Sequence, residues 1–234
     1  MFLRRLLIVI VCLGLAACDV AAPKTPSAPV SSERSAAARA AVQMFLDVVD
    51  NVAPVAASDC RARAPGRDCN FVIGVDSDPR QPPNAFQTTD RNGHPVIVFT
   101  IALIASVQNP DELAFVMSHE VAHHILGHLA LTQANAAAGA DAMVRIAAAN
   151  GRTTRAQLRA AQQLGAELGA RRYSKEFELQ ADALGTVIAH DAGYDPVKGA
   201  LFFFRLPDPG NDFMSTHPGN AERYALVQRV AAGF

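Results

Sequence analysis

His119 and His123 stand four residues apart, with Glu120 directly after the first, in the stretch Ser118-His119-Glu120-Val121-Ala122-His123-His124-Ile125-Leu126-Gly127-His128. On a helix, positions i and i+4 share a face, so both imidazoles can reach one ion. Zinc takes neutral imidazole nitrogen readily, and a catalytic zinc needs three protein ligands and one open corner for water. Glu120 lies about 100° round the helix from His119. That places a carboxylate beside the ion, near enough to take a proton from the water without being a ligand. The chemistry these types and spacings suit is metal-assisted hydrolysis.

Such a pair needs a helix beneath it, and the flanking residues supply one. Asn109-Pro110-Asp111-Glu112 offers an N-cap, a proline at the first helical position and two carboxylates in the first turn. Leu113, Ala114, Val116, Met117 and Val121 follow as an apolar stripe of helical period. The expectation is one helix from about residue 110 to at least 129. In that context the pattern is the HExxH arrangement of zinc metallopeptidases rather than a chance match on a surface helix.

A third ligand is required. His128 is one option, but the metzincin scheme wants glycine and histidine at positions occupied here by Leu126 and Leu129. His124 and His128 form their own i, i+4 pair and suit structural roles around the site. Ser174-Lys175-Glu176-Phe177-Glu178-Leu179-Gln180-Ala181-Asp182 is the better source. Glu178 and Asp182 share one face of a second helix, so Glu178 would complete a His-His-Glu site. Asp182 would accept the outer N–H of a ligating imidazole and fix its tautomer. Glu176 points elsewhere, to solvent. That helix has a clear end, with His190 in its last turn, Gly193 past it and Pro196 beyond.

Composition narrows the class. The chain has 234 residues, 50% hydrophobic and 18% charged, with a formal net charge of −1. That is one domain with a sizeable core, and neither a disordered chain nor a nucleic-acid-binding one. At the N-terminus, Arg4 and Arg5 precede an apolar run over residues 6–15 that is too short to span a bilayer. It ends in Leu15-Ala16-Ala17-Cys18, which resembles a bacterial lipobox. The expectation is a lipoprotein signal peptide over residues 1–17, lipidation at Cys18, and a Pro/Ser/Ala-rich tether over 18–32. An ordinary secretory signal is the competing reading. Asp19 resembles an inner-membrane retention signal, so the inner membrane is favoured and the outer one stays open. Cys60 and Cys69 close a short loop around Pro65-Gly66, which in an oxidising compartment suits a disulfide.

The domain is expected over residues 33–234. A packing helix from Ser32 to about Val52 has Val42, Phe45, Leu46 and Val49 on one stripe. Strands are expected over 71–75, 86–90 and 95–100, the last two joined by an Asn92-Gly93 hairpin. With Pro95 at its start, the 95–100 strand suits an edge position, where it would pair with an extended substrate backbone. His94 is a turn residue. A short helix follows over 101–107, and residues 129–172 form two helices joined near Asn150-Gly151, lying over the cleft. No segment after the leader is expected to cross a membrane.

HEVAHHILGH followed by ELQAD resembles the metallopeptidase family that contains HtpX, BepA and the CAAX prenyl endopeptidase, in which the glutamate of a downstream ExxxD is the third zinc ligand. Asn84-Ala85-Phe86 with Gly93, Pro95 and Thr100 resembles the strand segment before its metal helix. Met214-Ser215-Thr216-His217-Pro218, with Arg223, resembles the Ser-Thr-His-Pro segment of its periplasmic branch. The likeness runs over about residues 35–230, without the transmembrane helices or repeat domain of particular members. It implies an α+β zincin-like fold, mostly helical with a small sheet, and one zinc per chain. It also implies that His217 approaches the metal as a possible fourth ligand, and that Arg223 either stabilises an oxyanion or orients Asp182. The implied activity is that of a lipid-anchored periplasmic endopeptidase acting on misfolded or misassembled envelope proteins, with no nucleic-acid partner and no membrane contact besides the anchor. A zinc-containing holdase, with His217 standing in the water position, is the alternative.

Overall fold

The computed structural model describes residues 32–208 and 218–234. In chain order, a long helix α1 (Ser32–Arg63) leads to strands β1 (Val72–Asp76), β2 (Ala85–Thr89) and β3 (Pro95–Thr100). The rest is helical: α2 (Ile101–Ser106), α3 (Pro110–Leu126), α4 (His128–Ala149), α5 (Arg155–Arg171), α6 (Ser174–Asp191) and α7 (Pro196–Gly199). A 3-10 turn (Ala200–Arg205) and α8 (Asn220–Ala231) follow. This is an α+β zincin-like domain, mostly helical with a small mixed sheet.

α3 is the axis. Its stripe of Leu113, Met117 and Val121 is fully enclosed, because α1, α6 and α7 pack on it and the sheet lies alongside. Asn109 caps it by accepting from the Glu112 amide at 3.1 Å. The buried Glu112 carboxylate then accepts from the Gln108 amide at 2.7 Å and pairs with Arg205, tying the 3-10 turn to the start of α3.

The sheet order is β1-β3-β2, so β3 is the central strand and not the edge. β1 pairs with it in parallel and β2 antiparallel across the Asn92-Gly93 turn, where Gly93 has φ +88°. Pro95 is tolerated because it is the first residue of the strand, opposite Thr89. The expected substrate-pairing edge therefore moves to β2. Local pattern could not show this, because the hairpin fixes only the β2 side of β3, and the parallel pairing with β1 is a tertiary contact.

Two helices also depart from expectation. α1 runs on through Pro54 to Arg63, and its core face is Phe45, Val48, Val52, Ala56 and Cys60, while Val42 and Leu46 are exposed. In an alanine-rich helix either stripe is apolar enough, and contact with α3 and α6 selects the one that is used. α1 is also, among the described residues, the one helix long and apolar enough to cross a bilayer by length and composition. Its buried face is nevertheless part of the domain core. Cys60, on its last turns, is bonded to Cys69.

The helix expected to run past residue 129 instead breaks at Gly127, which is left-handed at φ +77° and is faced by Arg67 where a Cβ would sit. The chain turns there, so His124 and His128 do not pair along one helix. His124 Nε2 donates to the Asp68 carbonyl at 2.7 Å, while His128 opens α4.

Candidate metal centre

α3 and α6 cross with Gly185 against the His119 backbone; a Cβ there would lie 2.9 Å from the His119 nitrogen. That close approach brings the Glu178–Asp182 face of α6 over the imidazoles. His119 Nε2 and His123 Nε2 are 3.0 Å apart, and the two Glu178 oxygens lie 3.5 Å from the first and 3.3 Å from the second. Tetrahedral ligands bonded to zinc at 2.0–2.1 Å stand about 3.3 Å from one another. The three donors thus already have the spacing of three corners of a zinc tetrahedron, and their N, N, O chemistry suits that ion.

The outer nitrogens are held as well. His119 Nδ1 donates to Asp182 at 2.9 Å, which leaves Nε2 with its lone pair toward the shared point. Asp182 is fully buried and is gripped bidentately by Arg223 from α8, with both contacts at 2.7 Å. The Arg223 guanidinium lies 3.9 Å over the Phe203 ring and 3.6 Å from Glu178. Of the two roles left open for Arg223, the geometry matches orientation of Asp182. Burial opposes ionisation of Asp182, but hydrogen bonds from Arg223 and His119 outweigh it and hold the carboxyl below its usual range.

His123 is oriented by a relay the sequence did not disclose. Its Nδ1 is 2.8 Å from His128 Nδ1, and His128 Nε2 is 3.0 Å from Gln180 Oε1. The Gln180 amide is itself set by donation to Glu176 at 3.1 Å. A carbonyl oxygen only accepts, so His128 carries its proton on Nε2 and its Nδ1 accepts from His123. Burial is the main cause pushing the His128 pKa down to about 4, against the Gln180 hydrogen bond, so this ring is neutral as the relay requires. Gln180 was legible only as a letter inside ELQAD; its use depends on the break at Gly127 that swings His128 under His123.

Burial opposes charge on His119 too, but Asp182 and Glu178 outweigh it and raise its pKa to about 10. Without metal, the site therefore holds a proton between its carboxylates, which an incoming cation must displace. Glu120 lies beside the pair on α3, partly buried and lining the same cleft. Burial is the main cause raising its pKa, against the imidazoles and the Gln87 backbone amide of β2, which hydrogen-bonds it.

The cleft, about 430 Å³, is bounded on one side by Asn84 and by Ala85, Phe86 and Gln87 of β2, and on the other by Leu103, Phe115, Phe202 and Phe203. The roots of α4 and α5 reach it through Leu129, Thr132 and Ala170. His94 sits away from the donors, paired with Asp68 at 2.7 Å. His190 stacks on Phe234 at the far end of α6. Cys18 and His217 lie outside the described residues.

Two histidines from one helix, a carboxylate from a second and an adjoining glutamate on the first define a zincin of the His-His-Glu type. The model for peptidase family M48 matches residues 45–231, and the chain belongs to that family of zinc-dependent peptide-bond hydrolases. No curated protein matches it.

Proposed function

We propose that this zinc metallopeptidase is an endopeptidase, anchored by lipid at Cys18 on the periplasmic side of a membrane, that cuts unfolded or misassembled envelope polypeptides. The observation carrying the catalytic part is the convergence of His119, His123 and Glu178 at tetrahedral spacing beside Glu120, in a cleft bordered by β2, the edge strand among the described residues. Zinc, when bound, polarises the scissile carbonyl and lowers the pKa of water toward ~7. His119, His123 and Glu178 hold it. Glu120 takes the proton from the attacking water and returns it to the leaving amine, a task suited to a carboxyl whose pKa burial has raised above the usual carboxylate range. Asp182 and Arg223 lock the His119 ring, and His128 with Gln180 locks the His123 ring.

The edge of β2 offers backbone amides and carbonyls, which only an extended chain can pair with. Most backbone groups of a folded protein are already paired, so an unfolded polypeptide is the fitting substrate class. The lipobox at Cys18 and the Cys60–Cys69 bond support an extracytoplasmic, oxidising location.

The test uses full-chain, zinc-loaded protein in detergent with two substrates, casein and a disulfide-stapled globular protein. Casein should be cleaved internally, cleavage should stop on chelation and return with zinc, and the globular protein should resist until it is reduced and unfolded. Equal rates on folded and unfolded substrate, or release of terminal residues only, would overturn the reading.

A further inference from the structure

Among the described elements, α4 and α5 pack chiefly on each other, and α4 meets α3 where the chain turns at Gly127. With 22 residues in α4, the hairpin reaches about 33 Å from the cleft. Between the helices the packing is backbone to backbone: a Cβ on Gly139 would lie 2.1 Å from the Gly165 carbonyl oxygen. Small residues thus hold the hairpin together, and its large apolar side chains are spent elsewhere. Leu131, Ile146, Leu164 and Leu168 are each about half exposed, at 46%, 53%, 47% and 47%.

These four share one side. Leu131, Ala138, Ala142 and Ile146 follow one another at helical spacing on α4, as Leu164 and Leu168 do on α5. Ala138, Ala142 and Leu168 line the same inter-helix groove, which fixes the two strips to a common face. The opposite side of α5 carries Arg159, Gln162 and Gln163.

Charge is as lopsided as hydropathy. Residues 128–172 contain six arginines against two acidic residues, in a chain whose totals are 21 basic and 22 acidic. Arg145 and Arg171 border the apolar face, Arg171 with Glu167 at 2.9 Å, and Arg152 and Arg155 stand exposed at the hairpin tip. A mostly apolar strip of about 22 Å, interrupted by Asn135 and bordered by arginine, is the pattern of a segment that lies in a lipid interface. Neither helix is among the described helices apolar enough to span.

We propose that the apolar face of the α4–α5 hairpin docks on a bilayer containing anionic phospholipids. Leucine and isoleucine enter the headgroup boundary while Arg145, Arg152 and Arg155 meet phosphate. Because α4 begins at His128, beside the metal donors, docking sets the height and tilt of the cleft over the membrane. The inference does not need the Cys18 anchor, although an anchor would hold the hairpin within reach of the surface.

The chain contains no tryptophan, so one introduced indole reports its own position. Full-chain Leu164→Trp and, on the polar side, Gln163→Trp are reconstituted into vesicles of phosphatidylcholine alone or with phosphatidylglycerol added. Leu164→Trp should shift to the blue and be quenched by brominated acyl chains only with phosphatidylglycerol, while Gln163→Trp stays unchanged. Each of Arg145, Arg152 and Arg155 changed to glutamine should lower the docking equilibrium about fivefold. No shift with phosphatidylglycerol, or an equal shift at both positions, would overturn the proposal. So would a shift that follows protein density without regard to lipid, which would mark a second copy as the occupant, or one produced only by added unfolded polypeptide.

Discussion

Glu120→Gln should retain a full complement of zinc and lose hydrolysis, with kcat down by about 10²- to 10⁴-fold, the share that a positioned acid–base group contributes. Glutamine keeps the shape of the side chain and can still meet the Gln87 region of β2, so fold and cleft are preserved. It cannot take a proton from water. Because His119, His123 and Glu178 supply the donors without it, metal content separates this variant from one that merely loses the ion. Casein cleavage and zinc analysis on the same preparation check the expectation. Cleavage at the parent rate would remove Glu120 from the mechanism.

Arg223→Met should act on stability first. It strips the bidentate partner from Asp182, a carboxylate with no exposure and a single further contact of charge-bearing type, His119. Breaking one side of a buried pair costs up to about 3–5 kcal/mol, and here the buried Asp182 charge would keep only the His119 ring as its partner. The metal should feel the change as well, because Asp182 fixes the His119 tautomer, and loss of such outer partners lowers metal affinity by about 10- to 100-fold. Denaturant unfolding of the zinc-free protein and competition with a zinc indicator measure the two effects. Adding Asp182→Asn should recover part of the lost stability, because the stranded charge is gone, but not the zinc affinity. A double variant no more stable than Arg223→Met would contradict this account of the cost.

How much of this was legible beforehand follows from which contacts are local. The capped start at Asn109, the i, i+4 pair of His119 and His123, and the Glu178–Asp182 face each depend on a few neighbouring residues, and their spacing was enough to name them. That Glu178 belonged with the histidines came from donor chemistry and family likeness, since nothing local joins α3 to α6. What lay beyond reach depended on distant partners or on one backbone angle. Pro95 points to an edge for β3, but β1 pairs with it in parallel, a contact that the hairpin pattern does not set. The turn at Gly127 was missed because the apolar period continues through it, and with it went the His123–His128–Gln180 relay. Rotation of the α1 core stripe from Val42 and Leu46 to Val48 and Val52 is decided by α3 and α6, not by α1's own pattern.

The most direct test of a single zinc shared between α3 and α6 is metal stoichiometry by mass spectrometry on the purified parent and on Glu178→Ala. The account predicts one zinc per chain in the parent and close to none in the variant after dialysis, with helix content unchanged. A variant that keeps one zinc at the parent's affinity would contradict it.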